Sequence, residues 1–223
     1  MVVHKKYSFK HSQINFNLLQ LLPNINKYMS NLCYSLGKCS IIFRMNNDVK
    51  VAVVGNEIDI LTDDHETLLY DEVELLIYEI GSFLLFLNKL GFAPYTIEPS
   101  DILILNGHYF FIGFDKIYPI LHDTIVLISP KPKNAYSSPE FFNNRRIPTH
   151  IHFSSCIYSF GVIICTKLFP KNINLDTLNS HSVTNDNIEK IKNIIKPLEY
   201  TKVYWFLLRC LTNQPSQRKL LFI

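Results

Sequence analysis

Hydrophobic and polar positions change period several times along the chain. Ile25, Tyr28, Met29, Leu32 and Leu36 recur at steps of three and four, which predicts an amphipathic helix. Pro23 marks its start, Asn24 is placed to cap it, and Gly37 stops it. Two β-like runs follow, 40–44 and 49–54, joined as a hairpin by Met45-Asn46-Asn47-Asp48. Residues 61–65 read as a polar linker. Val73, Leu76, Ile80, Phe83, Leu87 and Leu90 then lay an apolar stripe along a long helix over 71–90, closed by Gly91. A second hairpin joins 102–105 to 108–112 through Asn106-Gly107, the pair that tolerates positive φ at both turn positions. A loop with Pro119, Pro130 and Pro132 runs from 116 to 139. The stretch 159–168 is apolar nearly all round, with no charge before Lys167, which predicts a helix in the middle of a domain. Asn185 caps another helix, with Ile188, Ile191, Ile194 and Ile195 inward and Pro197 near its end, and a last helix covers 200–211. The order predicts an α+β fold with a helical C-terminal majority.

Composition adds bounds. The 223 residues suffice for one full domain or two small ones, and the 48% apolar and 18% charged content is that of a globular chain. Ala52, Ala93 and Ala135 are the only alanines. Asn, Ile and Lys stand where Ala, Gly and Arg are usual, a bias that suits an AT-rich genome such as that of a large DNA virus or a parasite. Nucleic acid is not an expected partner, and the net charge of +3 is too small to argue for it by itself. Its distribution is uneven: residues 1–47 hold six cations and no acid, which leaves −3 for the remainder. That basic leader is a candidate for docking on an acidic surface. Five cysteines, with no C-x-x-C pair, read as reduced, buried thiols in a reducing, cytoplasm-like compartment; for a viral chain this means the host cytoplasm or the virion. The start lacks the apolar stretch of a secretory signal, and the apolar runs fall short of the ~18–20 residues that cross a bilayer.

From residue 73 onward a series of motifs appears in order. Ile97-Glu98-Pro99-Ser100-Asp101-Ile102-Leu103-Ile104 is similar to I-K-P-E-N-I-L-L. Ile112-Gly113-Phe114-Asp115 stands where D-F-G is expected, and Ser138-Pro139-Glu140 resembles A-P-E. Ile157-Tyr158-Ser159-Phe160-Gly161-Val162-Ile163-Ile164 resembles V-W-S-L-G-V-I-L, and 210–218 is similar to C-L-x-x-D-P-x-x-R. Together these resemble the large lobe of eukaryotic-type protein kinases over about two-thirds of the chain. The resemblance implies a kinase-like fold with a remnant small lobe over 1–62 (basic leader, one helix, hairpin) and a helical large lobe over 63–223.

What the resemblance implies about chemistry is mostly loss. Phosphoryl transfer needs a Lys on the phosphates, carboxylate and Asn ligands for Mg²⁺, and an Asp that accepts the hydroxyl proton. The base position of H-R-D aligns with Thr96 in Pro94-Tyr95-Thr96, and a hydroxyl is no general base near pH 7. The Mg²⁺ Asn aligns with Asp101. The D-F-G aspartate aligns with Gly113 if Phe114 is the family's Phe; a tight hairpin shorter or longer than the family's changes that register and offers Asp115 instead. No Gly-rich phosphate loop is present, and Val51-Ala52-Val53-Val54 resembles V-A-I-K with Val54 in place of the Lys. The bracing positions survive: Glu140 and Arg218 match a family ion pair, and Gly161 matches the glycine of the central helix. The family's Asp at the start of that helix is Cys156. The resemblance therefore implies a truncated pseudokinase used as a protein-binding or scaffolding module, without cofactor. Two alternatives stay open: a divergent Ser/Thr protein kinase holding Mg²⁺–ATP through Asp101 and Asp115, and a structural subunit of a larger, possibly viral, assembly.

Other clusters carry less. His150-x-His152 puts two imidazoles on one strand face without a nearby Cys, Asp or Glu, so no metal site is expected. Lys131, Lys133, Arg145 and Arg146 read as solvated loop charges. Tyr109-Phe110-Phe111 reads as strand core, with an exposed Tyr109 as a partner-facing alternative.

Overall fold

A single long helix organises the molecule. α2 (Tyr70–Lys89) buries Val73, Leu76, Ile80, Phe83 and Leu87, the stripe predicted from spacing. Glu72 accepts the Leu69 N–H at 2.7 Å at its start, and Gly91, at φ 79°, turns the chain away at its end. The structure is a computed structural model that describes residues 3–9, 16–36, 39–45, 49–63, 67–170 and 185–222. Among them it is mixed α and β.

Upstream of α2 lie β1 (Val3–Phe9), α1 (Phe16–Leu36), β2 (Ser40–Met45) and β3 (Val49–Gly55). They form an antiparallel sheet in the order β1-β3-β2, with Ser40 opposite Val54 in the expected hairpin. The hairpin's turn residues 46–48, and Gly37, lie outside the described residues. α1 starts earlier than spacing indicated and runs through Pro23. Leu21 and Leu22 are buried on the face that carries Ile25, Met29 and Cys33. Two buried leucines at about 2 kcal/mol each outweigh the roughly 3 kcal/mol of an internal proline. β1 lies within the basic leader and adds a third strand beside the hairpin. In it Lys5 donates to the Ile58 carbonyl at 2.6 Å, so one charge of the basic leader is engaged within the molecule.

The described part of the expected linker, 61–63, is tied down, and residues 64 and 65 lie outside the described residues. β4 (Ile58–Ile60) pairs with β6 (Ile102–Leu105), which pairs with β7 (His108–Phe111), so this sheet crosses the boundary expected at 62. Leu61 is fully buried and donates to the Ile102 carbonyl at 2.9 Å, and the buried Lys167 donates to the Thr62 carbonyl. Asn106 and Gly107 take φ of 52° and 78° as the hairpin requires. Tyr109 is buried, and Glu79 of α2 accepts its N–H at 2.7 Å while pairing with His108 Nδ1 at 2.6 Å. This removes the partner-facing alternative for Tyr109.

β5 (Phe92–Pro94) pairs with β8 (Ile117–Pro119), and β9 (Thr124–Leu127) pairs with β10 (Thr149–His152), so the expected loop contains two short strands. After α3 (Pro139–Asn143), α4 (Ser155–Leu168) is buried along almost its whole length, as its composition indicated. α5 (Asn185–Ile195) and α6 (Lys202–Cys210) complete the fold. Gly161 lets α4 meet α6: a Cβ there would lie 2.7 Å from Cys210 Cβ. All five cysteines are free thiols, and among the described residues no helix is long and apolar enough to cross a membrane.

Candidate functional site

The loop between β5 and β6 carries the site. A 3-10 turn over Pro99–Asp101 is closed on itself: Asp101 N–H donates to the Glu98 carbonyl at 2.9 Å, and Asp101 Oδ2 accepts the Glu98 N–H at 2.9 Å. A second 3-10 turn, Phe114–Lys116, follows β7. Ile112 N–H donates to the Asp101 carbonyl at 2.7 Å and Tyr95 N–H to the Lys116 carbonyl at 3.0 Å, which clamps the two turns together.

Between them sits the buried ammonium of Lys116. It donates to Asp101 Oδ2 at 2.7 Å and also to Glu98 Oε1. The other oxygen of Glu98 accepts Asn134 Nδ2 at 2.6 Å. Asn134 Oδ1 in turn accepts the Tyr136 N–H at 3.0 Å, and the Tyr136 hydroxyl donates to Asp63. One connected polar network therefore runs from the 61–63 segment to Lys116. Burial pushes Asp101 up to about 6 against the pull of Lys116. Burial is also the largest single influence on Glu98, but the bond and charge of Lys116, with the hydrogen bonds from Asn134 and Ser100, together outweigh it and hold Glu98 below the usual carboxylate range. Burial opposes the charge of Lys116 too, and Asp101 and Glu98 together overcome it and hold the amine above its ordinary value.

Each residue singled out from sequence now has a place. Gly113 abuts Asp101 so closely that a Cβ at 113 would meet Asp101 Oδ1 at 2.5 Å. Its φ is −76°, so space and not backbone conformation requires glycine here. Asp115 is half-exposed, beside Tyr95, whose phenol is kept protonated by burial and then by the charge of Asp115. Thr96 is buried with its hydroxyl 3.1 Å from that of Ser159. Cys156 does not hold the loop backbone. Its thiol, pushed up to about 12 by burial, donates to the Phe153 carbonyl at 3.3 Å. The neighbouring Ser155 does that work: its hydroxyl donates to the Tyr95 carbonyl at 2.8 Å and lies 2.7 Å from that of Ser138.

Glu140 and Arg218 are brought together. Arg218 Nη1 donates to Oε1 at 2.5 Å and Nη2 to Oε2 at 2.9 Å. Arg218 also donates to the Thr212 and Asn213 carbonyls and lies 5.0 Å from the centre of the Tyr158 ring. His150 is exposed, whereas His152 stacks on Phe153 and lies 2.8 Å from the Ser154 hydroxyl. Lys133 donates to the Phe142 and Asn144 carbonyls, so it is not simply solvated.

The donor set does not fit a divalent ion with a nucleotide. Asp101 Oδ2 already receives an ammonium and an N–H, position 113 supplies no ligand, and a side chain added there would displace Asp101. The cation in this centre belongs to the chain. Glu98 stands where the similar motif I-K-P-E-N has a lysine, and this reversal of charge signals a cation from elsewhere in the chain. Nothing comparable pointed to Lys116, Asn134 or Ser155. No protein-family model matches the chain, and no curated protein matches it.

Proposed function

We propose that this chain is a kinase-like large lobe with a remnant small lobe that works as a protein-binding or scaffolding module and transfers no phosphate. The observation that carries the reading is the Lys116 ammonium bonded to Asp101 and Glu98 in the segment that resembles the family's catalytic loop. Phosphoryl transfer depends on cations placed to neutralise the phosphates and on a base for the hydroxyl proton. Here a fixed side chain neutralises the carboxylates, and a buried threonine stands at the base position. The bracing supports the same reading. A bidentate Glu140–Arg218 pair and a buried central helix keep the lobe rigid while the reacting groups are gone.

Thermal unfolding of the full chain with increasing ATP and MgCl₂ tests this. A ligand at ~100 Kd adds about 2.7 kcal/mol of stability. The expected result is no shift at millimolar nucleotide. A saturable, Mg²⁺-dependent shift lost in Asp101→Asn would instead support the divergent-kinase alternative.

A further inference from the structure

The outer face formed by α5 and α6 combines features that the site above does not use. Lys202, Trp205 and Arg209 follow one another at helical spacing along the exposed side of α6. Trp205 is 51% exposed with its ring edge-on to Tyr204, so it is a braced aromatic surface. Just before α6, Tyr200 is 88% exposed and sits at φ 72°, a left-handed conformation that an aromatic residue rarely adopts. Beside Lys202 opens a cavity of about 160 Å³. Its lining is mostly apolar, from Ile77, Val203, Phe206 and Phe222, with Glu74 and Lys202 as its charged groups.

Charge selects the occupant. From 189 to 209 five exposed cations, Lys190, Lys192, Lys196, Lys202 and Arg209, outnumber two exposed carboxylates, Glu189 and Glu199. From 200 onward the chain contains no acid at all. We propose that this face binds an acidic peptide segment of a partner protein. One bulky apolar side chain enters the cavity, flanking carboxylates pair with Lys202 and Arg209, and Trp205 covers the segment. Exposed aromatic and cationic anchors around a small apolar pocket are the features that concentrate binding energy at protein interfaces. Phosphodiester and lipid headgroups match the charge but bring no single apolar group for an isolated cavity. Glu74 also lines the cavity, and Asp71 and Glu72 are exposed on the same helix, so α2 repels a uniformly acidic ligand and carboxylates are favoured only beside Lys202 and Arg209.

The proposal rests on the binding-module reading and names its partner's chemistry. A random short-peptide library displayed on phage is selected against the immobilised full chain, and the enriched peptides are remade with a fluorescent label. The expected consensus is acidic residues around one Leu, Phe or Met. Its affinity falls roughly tenfold in Lys202→Glu and in Trp205→Ser. Both substituted side chains are exposed, and matched thermal melts establish that both variants fold. No enrichment, a neutral or basic consensus, or equal binding by the variants overturns the proposal. So does preferential binding of phosphatidylserine-containing vesicles or of oligo-dT over the peptides. A positive nucleotide titration removes the module reading independently of this selection, and a failed selection removes this surface alone.

Discussion

Arg218 and Glu140, 78 residues apart, meet as two parallel charge-assisted hydrogen bonds, with the guanidinium buried and the carboxylate partly open. Removing one partner strands the other. Glu140→Ala is expected to cost roughly 3–5 kcal/mol, because the buried guanidinium keeps the Thr212 and Asn213 carbonyls and the Tyr158 ring but loses its counter-charge. Urea unfolding of Glu140→Ala, Arg218→Met and the double variant measures it. The double variant should lose clearly less than the two single losses added, and strict additivity would mean that the pair is not coupled.

Lys116→Met is expected to be destabilised by roughly 3–5 kcal/mol at pH 8, where two carboxylates would face each other without a cation. The pH dependence identifies the cause. Burial already raises Asp101 to about 6 from its ordinary 3.8, and losing the ammonium raises it further. An acid whose folded pKa is raised contributes stability at low pH and loses it as pH rises through the folded value. The deficit of Lys116→Met should therefore shrink from pH 8 to pH 5, read as the difference in unfolding free energy from the native chain. A deficit independent of pH would assign Lys116 a packing role.

Gly113→Asp returns an acid to the position that resembles the family's metal ligand. With a Cβ 2.5 Å from Asp101 Oδ1, the expected outcome is a loss of about 1–3 kcal/mol and no gain in Mg²⁺-dependent nucleotide binding. Melting curves with and without MgCl₂ and ATP read both. A gain in nucleotide affinity would show that the two turns part easily.

His152 shapes the acid limb of stability. Burial, partly offset by the charge of Asp123, holds its pKa below the ordinary 6.5. The unfolded chain then takes up a proton that the native imidazole resists, so this residue's contribution falls as pH drops below about 6.5. Asp101 works in the opposite sense between about 4 and 6. His152→Gln should remove stability loss on the pH 7 to 5 limb relative to the native chain. Superimposable pH profiles would contradict this.

Much of the fold was legible because single segments announced it. The α2 stripe and the Asn106-Gly107 turn need no partner to be read. α1 was cut short at Pro23 because a local rule met burial of Leu21 and Leu22, which only packing reveals. β1 was missed because Lys5 and its neighbours look like a solvated basic leader until β3 lies alongside. The Glu140–Arg218 pair was readable through its two motifs. The Lys116 centre was not, because its parts come from 98–101, 116 and 134, three segments joined only by the fold. Likewise motif spacing points to Cys156, whereas Ser155, one residue earlier, carries the bond to the loop.

In the proposed reading the chain's own Lys116 stands where a metal would have to bind Asp101. A crystal structure of the full chain soaked with millimolar ATP and MgCl₂ tests it most directly. The account predicts Lys116 Nζ within hydrogen-bonding distance of both Asp101 and Glu98, with no nucleotide beside it. A metal ion on Asp101 with phosphates attached and Lys116 displaced would contradict it.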